Sequence, residues 1–165
     1  MADTKVSDKL LALLNDATAR EMKVSMQYMM QHALYGGGGS VIESDALSSK
    51  AGKFVASHSS VFLPGKSMKK IAITEMRHAE AIAERVSVLG GTPTTQPESF
   101  KIEKTLKEIL ELDKAEEEDA ITLYNQIIEV ARSEADKTTE RLFRDILSDE
   151  EAHLQTFTNF LVQYE

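Results

Sequence analysis

The chain has 165 residues, 27 acidic against 19 basic, with a net charge of −8 at pH 7 and no cysteine. The length suits one domain, residues 1–165, and the acidic balance argues against a nucleic-acid or anionic-membrane binder while suiting a protein that attracts cations. Lack of cysteine excludes disulfides, thiolate ligands and cysteine-bound iron–sulfur clusters; with no basic segment leading into an apolar run at the N-terminus, and no apolar stretch of ~18 residues, a cytoplasmic protein without a membrane span is expected.

Prolines and glycines divide the chain into long intervals of helical period. A first helix is expected from about Ser7, a plausible N-cap, to Tyr35, where the glycines at 36–39 stop it. A less regular segment follows, VIESDALSSKAGKFVASHSS (41–60), with room for a short extra helix. The second helix runs from about Lys66 to Leu89 and ends at Gly90-Gly91; TPTTQPESF then reads as a loop. The third covers about Lys104 to Ala131 and the fourth about Lys137 to Val162, with a turn at RSEAD between them. Strand-like alternation is missing, so the fold class is all-α, a four-helix bundle of helices roughly 37 Å long.

Each helix places a carboxylate on its apolar stripe. On the fourth, Glu150 and His153 fall among Leu142, Phe143, Ile146, Leu147, Leu154, Phe157 and Leu161, while Glu151 falls on the polar side with Arg144 and Gln155. On the second, Glu75 and His78 join Ile71, Ile82, Val86 and Leu89. Leu10, Leu14, Val24 and Tyr28 surround Glu21 on the first, and Leu110, Ile121, Tyr124 and Ile128 surround Glu117 on the third. One Glu on an apolar stripe is usually a solvated helix edge, a lone buried His is usually a hydrogen-bonded core residue, and one Glu-x-x-His recurs by chance. Four inward carboxylates in one bundle are different, because like charges repel strongly at low dielectric. They coexist only if protonated or if cations sit among them, and four carboxylates with two neutral imidazoles balance two divalent ions. Without metal, the carboxylates are expected to take up protons and the histidines to charge only below about pH 6.

The spacing repeats. Glu21 is followed at +7 by Tyr28 and Glu117 at +7 by Tyr124, and each such helix precedes a Glu-x-x-His helix. Glu117 and Glu150 are 33 residues apart, Glu21 and Glu75 are 54. The excess of 21 is read as an insertion at about 36–60 in the first connection.

The stretches REMKVSMQY, ITEMRHAEAIAERVSVLGGTP, LELDKAEEEDAITLY and LSDEEAHL resemble the ferritin-like di-iron superfamily, most closely its bacterioferritin branch and the bacterioferritin-like mini-ferritins. The resemblance implies two iron ions per chain: Glu75 and Glu150 bridging, Glu21 with His78 completing one site, Glu117 with His153 the other, and Tyr28 and Tyr124 standing behind the ligands. Glu116, which lies on a partly apolar stripe, is set aside for Glu117 by the same match. It further implies ferroxidase activity, Fe(II) to Fe(III) with O₂ or H₂O₂, and iron storage in a hollow homo-oligomer.

Only 12 residues follow His153, so no fifth helix is expected, which favours a twelve-chain shell over 24 chains or a dimer. The cysteine pair frequent in the mini-ferritin-like group is missing. Met76 stands where bacterioferritins place a haem-ligating methionine; an apolar contact between copies is the favoured alternative. His32 reads as a helix-face residue and His58 as part of the insertion surface. The competing function is a di-metal redox enzyme without storage, resembling a rubrerythrin-like peroxidase or a manganese catalase. Particle size separates the two, since a twelve-chain shell of 18.3 kDa subunits has a mass of about 220 kDa.

Overall fold

The computed structural model describes residues 6–35 and 64–164. Within them lie four long helices, α1 (Asp8–Tyr35), α2 (Pro64–Val88), α3 (Leu106–Ser133) and α4 (Lys137–Leu161), followed by a 3₁₀ turn, Val162–Tyr164. No strand occurs among the described residues. The expected insertion at 36–60, with any short helix in it and His58, lies outside them.

Local chemistry accounts for the helix ends. Ser7 Oγ accepts from Leu10 N, so Ser7 caps α1, and its hydroxyl is also bonded to Glu134 in the α3–α4 turn. Thr105 and Glu108 form a reciprocal capping box at the start of α3, and Asp136 caps α4 through Thr139 N. Gly90 (φ +80°) closes α2 in the left-handed region, with Gly91 N returning to Val86 O. A Cβ at Gly91 would lie 2.9 Å from Leu11 and Val86 side-chain atoms, so this turn is packed tightly on α1.

The main packing pairs are α1 on α2 and α3 on α4; α1 also meets α3 and α2 meets α4, so α2 and α3 lie diagonally. The connection between them, residues 89–105, crosses α1: Asn15 binds the backbone of Thr92 and Thr94, and Glu98 N donates to Ala19 O. Apolar burial is split between two clusters. One gathers Leu10, Leu14, Ile82, Val86, Tyr124, Ile127, Phe143 and their neighbours; the other gathers Val24, Tyr28, Met68, Ile71, Ile109, Leu110, Phe157 and theirs. Such burial supplies the main folding force, about 25 cal/mol per Å². Between the two clusters lies a layer of charged side chains.

Candidate dimetal site

Glu21, Glu75, Glu117 and Glu150 are all buried, at 1% exposure or less, and His78 is buried beside them. The 3.6-residue period turns the sequence spacing into one inward stripe per helix. The six residues form two overlapping groups: Glu21, Glu75, His78 and Glu150, and Glu75, Glu117, Glu150 and His153, with the donor atoms of each group within 4.8 Å of one another. Glu75 and Glu150 belong to both. The structure thus brings together all six residues singled out from the sequence.

The imidazoles point their Nδ1 atoms into the cluster. His78 Nδ1 is 3.0 Å from Glu75 Oε2 and 3.0 Å from Glu150 Oε1. His153 Nδ1 is 2.8 Å from Glu75 Oε1 and 3.3 Å from Glu150 Oε2. Tyr28 Oη donates to Glu117 Oε1 at 2.5 Å, and Tyr124 Oη donates to Glu21 Oε1. The spacing of seven that ties each Tyr to a Glu of its own helix therefore serves the opposite helix, because α1 and α3 run antiparallel.

Burial, then the charges of Glu150 and Glu75, pushes Glu21 well above the usual carboxylate range. Glu117 is pushed up by burial, then by Glu75 and Glu150. Burial opposes charge on the imidazoles as well, but hydrogen bonds with Glu150 and Glu75 outweigh it, raising His78 to about 10 and His153 to about 9. Against the burial that would raise it, Glu150 is held far below the usual range by hydrogen bonds with His153 and His78. This corrects the expected proton distribution in part. Carboxylates do carry protons, at Glu21 and Glu117, but the imidazoles are cationic well above pH 6 rather than neutral.

The donor set fits two divalent cations. Glu21 Oε2 and Glu117 Oε2 are buried without a hydrogen-bond partner among the described residues, while Glu75 Oε1 and Glu150 Oε1 face only the imidazole Nδ1 atoms that a metal ion would displace. Buried oxygens of that kind are costly unless something positive meets them. Carboxylate and imidazole are suitable ligands for Fe(II), Mn(II) and Zn(II).

Beside the cluster, on the α2/α4 side, lies a cavity of about 480 Å³ bounded by both histidines, Lys70, Thr74, Arg77, Asp149 and Ala152, among others. On the α1/α3 side the site is filled. Arg20 is buried and bonded to the Glu116 carbonyl, and Lys23 Nζ bridges Glu116 (2.7 Å) and Glu98 (3.0 Å). Burial opposes charge on Arg20, but Glu21 and Glu117 hold it more firmly protonated than usual. Glu116 thus has a role of its own, pairing with cations outside the six-residue cluster.

Met76, 54% exposed, stands apart from the cluster. Met26, Met30 and Ile73 on the paired helices α1 and α2 are also exposed. His32 holds the start of α2, its Nδ1 2.7 Å from Gly65 O. Sequence reasoning missed Arg20, Asp149 and a buried triad in which Gln27 and Gln31 both donate to Asp113 Oδ1. Burial overrides those two bonds and raises Asp113 to about 7. Asp113 was findable, lying four residues before Glu117 on the same stripe.

Comparison with known proteins agrees with this geometry. A ferritin-like domain model matches residues 65–165. The bacterioferritin of Desulfovibrio desulfuricans is 37% identical over 152 residues, 92% of this chain and 73% of that protein. Its crystal structure, solved with the diiron site in different catalytic states, superposes with a TM-score of 0.72 at 35% identity, covering 93% of this chain and 78% of that one. Rhodobacter capsulatus bacterioferritin, solved with a metal-free dinuclear site and a heme iron, gives a TM-score of 0.75 at 25% identity over 97% of this chain and 88% of that one. The chain belongs to the ferritin-like family and, within it, to the bacterioferritins.

Proposed function

We propose that this protein is a ferroxidase that oxidises Fe(II) and stores the product, using a di-iron carboxylate centre inside a single bundle. The two four-residue groups that share Glu75 and Glu150 carry the reading. In it Glu75 and Glu150 hold both ions, Glu21 and His78 complete one position, and Glu117 and His153 complete the other. Two Fe(II) ions held there would together supply two electrons, enough to reduce dioxygen to peroxide or peroxide to water, leaving two Fe(III).

The protein's own tasks follow from the geometry. Tyr28 and Tyr124 fix the orientation of Glu117 and Glu21 through their hydroxyls. The apolar clusters above and below the layer keep bulk water out and strengthen its electrostatics. His78 and His153 surrender the proton at Nδ1 when a cation arrives, and Glu21 and Glu117 surrender theirs, so loading releases protons. The cavity on the α2/α4 side gives iron a way in and out.

Assembly into a hollow homo-oligomer, with twelve chains favoured, and a cytoplasmic setting belong to the same reading. No helix among the described residues is long and apolar enough to cross a membrane. The exposed Met26, Met30, Ile73 and Met76 support an apolar contact between copies, and this is preferred to haem ligation by Met76. Anaerobic titration with Fe(II) tests the proposal: a break near two equivalents per chain, followed by oxidation faster than in buffer once air is admitted, is expected. No binding would overturn it. Gel filtration and the absorption spectrum of the purified protein report shell size and haem.

A further inference from the structure

The two halves of the centre mirror each other in their ligands but not in what stands behind them. His78 turns Nε2 outward, and Asp149 Oδ2 lies 3.2 Å from it. Asp149 belongs to α4, one residue before Glu150, so it reaches across from the other half of the bundle. His153 also turns Nδ1 inward, yet its Nε2 meets no partner among the described residues. The residue in the corresponding place, one before Glu75 on α2, is Thr74. Its hydroxyl is committed to the Lys70 carbonyl at 3.3 Å. All four side chains border the same cavity.

We infer that Asp149 is a positioning residue for His78 and makes the two metal positions unequal, the Glu21/His78 position binding first and more tightly. This rests on the dimetal reading above. An imidazole that ligates through Nδ1 must keep its proton on Nε2, and a carboxylate accepting that N–H fixes both the tautomer and the ring plane. Asp149 supplies this for His78, whose ring is already oriented to ligate once Nδ1 gives up its proton. His153 has the same two carboxylates at Nδ1 but no acceptor at Nε2 among the described residues to fix the tautomer once they turn to a metal ion, and it borders the cavity. The sequence alone gives no sign of this inequality, since both halves read Glu-x-x-His.

The test uses the full chain, metal-stripped and titrated anaerobically with Co(II) against a competing chelator, with circular dichroism to check the fold. Wild type is expected to bind two Co(II) in two separable steps. D149A should weaken the first step by about 10–100-fold and leave the second nearly unchanged. D149N should restore most of the first step, because an amide oxygen accepts the same N–H without the charge. E151Q, which removes an exposed carboxylate nearby, should change neither step. T74D, which offers His153 the missing acceptor, should tighten the second step. Equal affinities in wild type, no effect of D149A, or equal loss of both steps in D149A and D149N would overturn the inference and leave the dimetal reading standing. Wild type that binds no Co(II) would sink both. Should D149A fail to fold, T74D decides alone: an unchanged second step overturns the inference.

Discussion

The two sides of the carboxylate layer are built on opposite principles. On the α1/α3 side each helix offers one Glu, the space behind is closed by Tyr28, Tyr124 and Arg20, and both tyrosine hydroxyls donate to carboxylates. On the α2/α4 side each helix offers Glu-x-x-His, and the imidazoles border an open cavity of about 480 Å³. One side is filled; the other is open. A bundle can hold charge in its core when a filled wall fixes the carboxylates and an open wall leaves the imidazoles beside a cavity.

The comparison breaks most completely at Glu150, which belongs to both metal groups and pairs with both imidazoles. E150A should lower the rate of Fe(II) oxidation, read by stopped flow, beyond the roughly 100-fold reached by changing an outer partner. It should also destabilise the metal-stripped protein by about 3–5 kcal/mol, since two buried imidazolium groups lose a partner. That shifts the melting temperature by about 2–4 °C per kcal/mol. An unchanged melt would remove Glu150 from the apo charge network.

A pH series sharpens the contrast. Hydrogen bonds with Glu150 and Glu75 raise His78 to about 10 and His153 to about 9, above the ordinary histidine value of about 6.5. Their contribution is therefore fully present below about pH 6.5 and is lost as pH rises through 9–10. The raised Glu21 and Glu117 push the same way, since the folded state holds their protons longer. Metal-stripped protein should thus lose stability from pH 6.5 upward, by about 1.4 kcal/mol per pH unit for each extra proton held. Protein loaded with Zn(II) should gain over the stripped form as pH rises, because fewer protons must be displaced. Parallel thermal melts that fail to diverge with pH would contradict this.

Smaller changes probe each wall separately. Y124F leaves Glu21 without its tyrosine donor on the filled side and should cost about 1–3 kcal/mol in a thermal or urea melt. A152W fills the cavity on the open side and should slow Fe(II) oxidation several-fold while the stoichiometry of two stays unchanged. A tryptophan at the exposed Ala115 of α3 should leave the rate alone. If both variants behave alike, the cavity is no route. Least affected should be K107M on α3, because both Lys107 and its partner Glu111 are more than half exposed and such pairs contribute about 1 kcal/mol or less.

Much of the fold was legible because an α-helix converts spacing into direction. The four helices, their ends to within about two residues, and the inward facing of Glu21, Glu75, His78, Glu117, Glu150 and His153 all follow from a 3.6-residue period and from Ser, Thr, Asp and Gly at the termini. Relations between helices were not legible, since they depend on register and packing that no single-helix period contains. Tyr28 meets Glu117 rather than Glu21 because α1 and α3 run antiparallel. Arg20, next to a buried Glu in sequence, reads as a solvated charge, yet it packs inward on the Glu116 carbonyl. Asp149 looks like one more surface acid until α4 lies beside α2 and brings it to His78. Proton placement came last of all, because it depends on distances of about 3 Å between side chains from different helices. Helical period alone was enough to turn the six Glu and His residues inward; the packing of helix on helix added Arg20, Gln27, Gln31 and Asp113 to the interior and decided which side chains touch, and so where the charge resides.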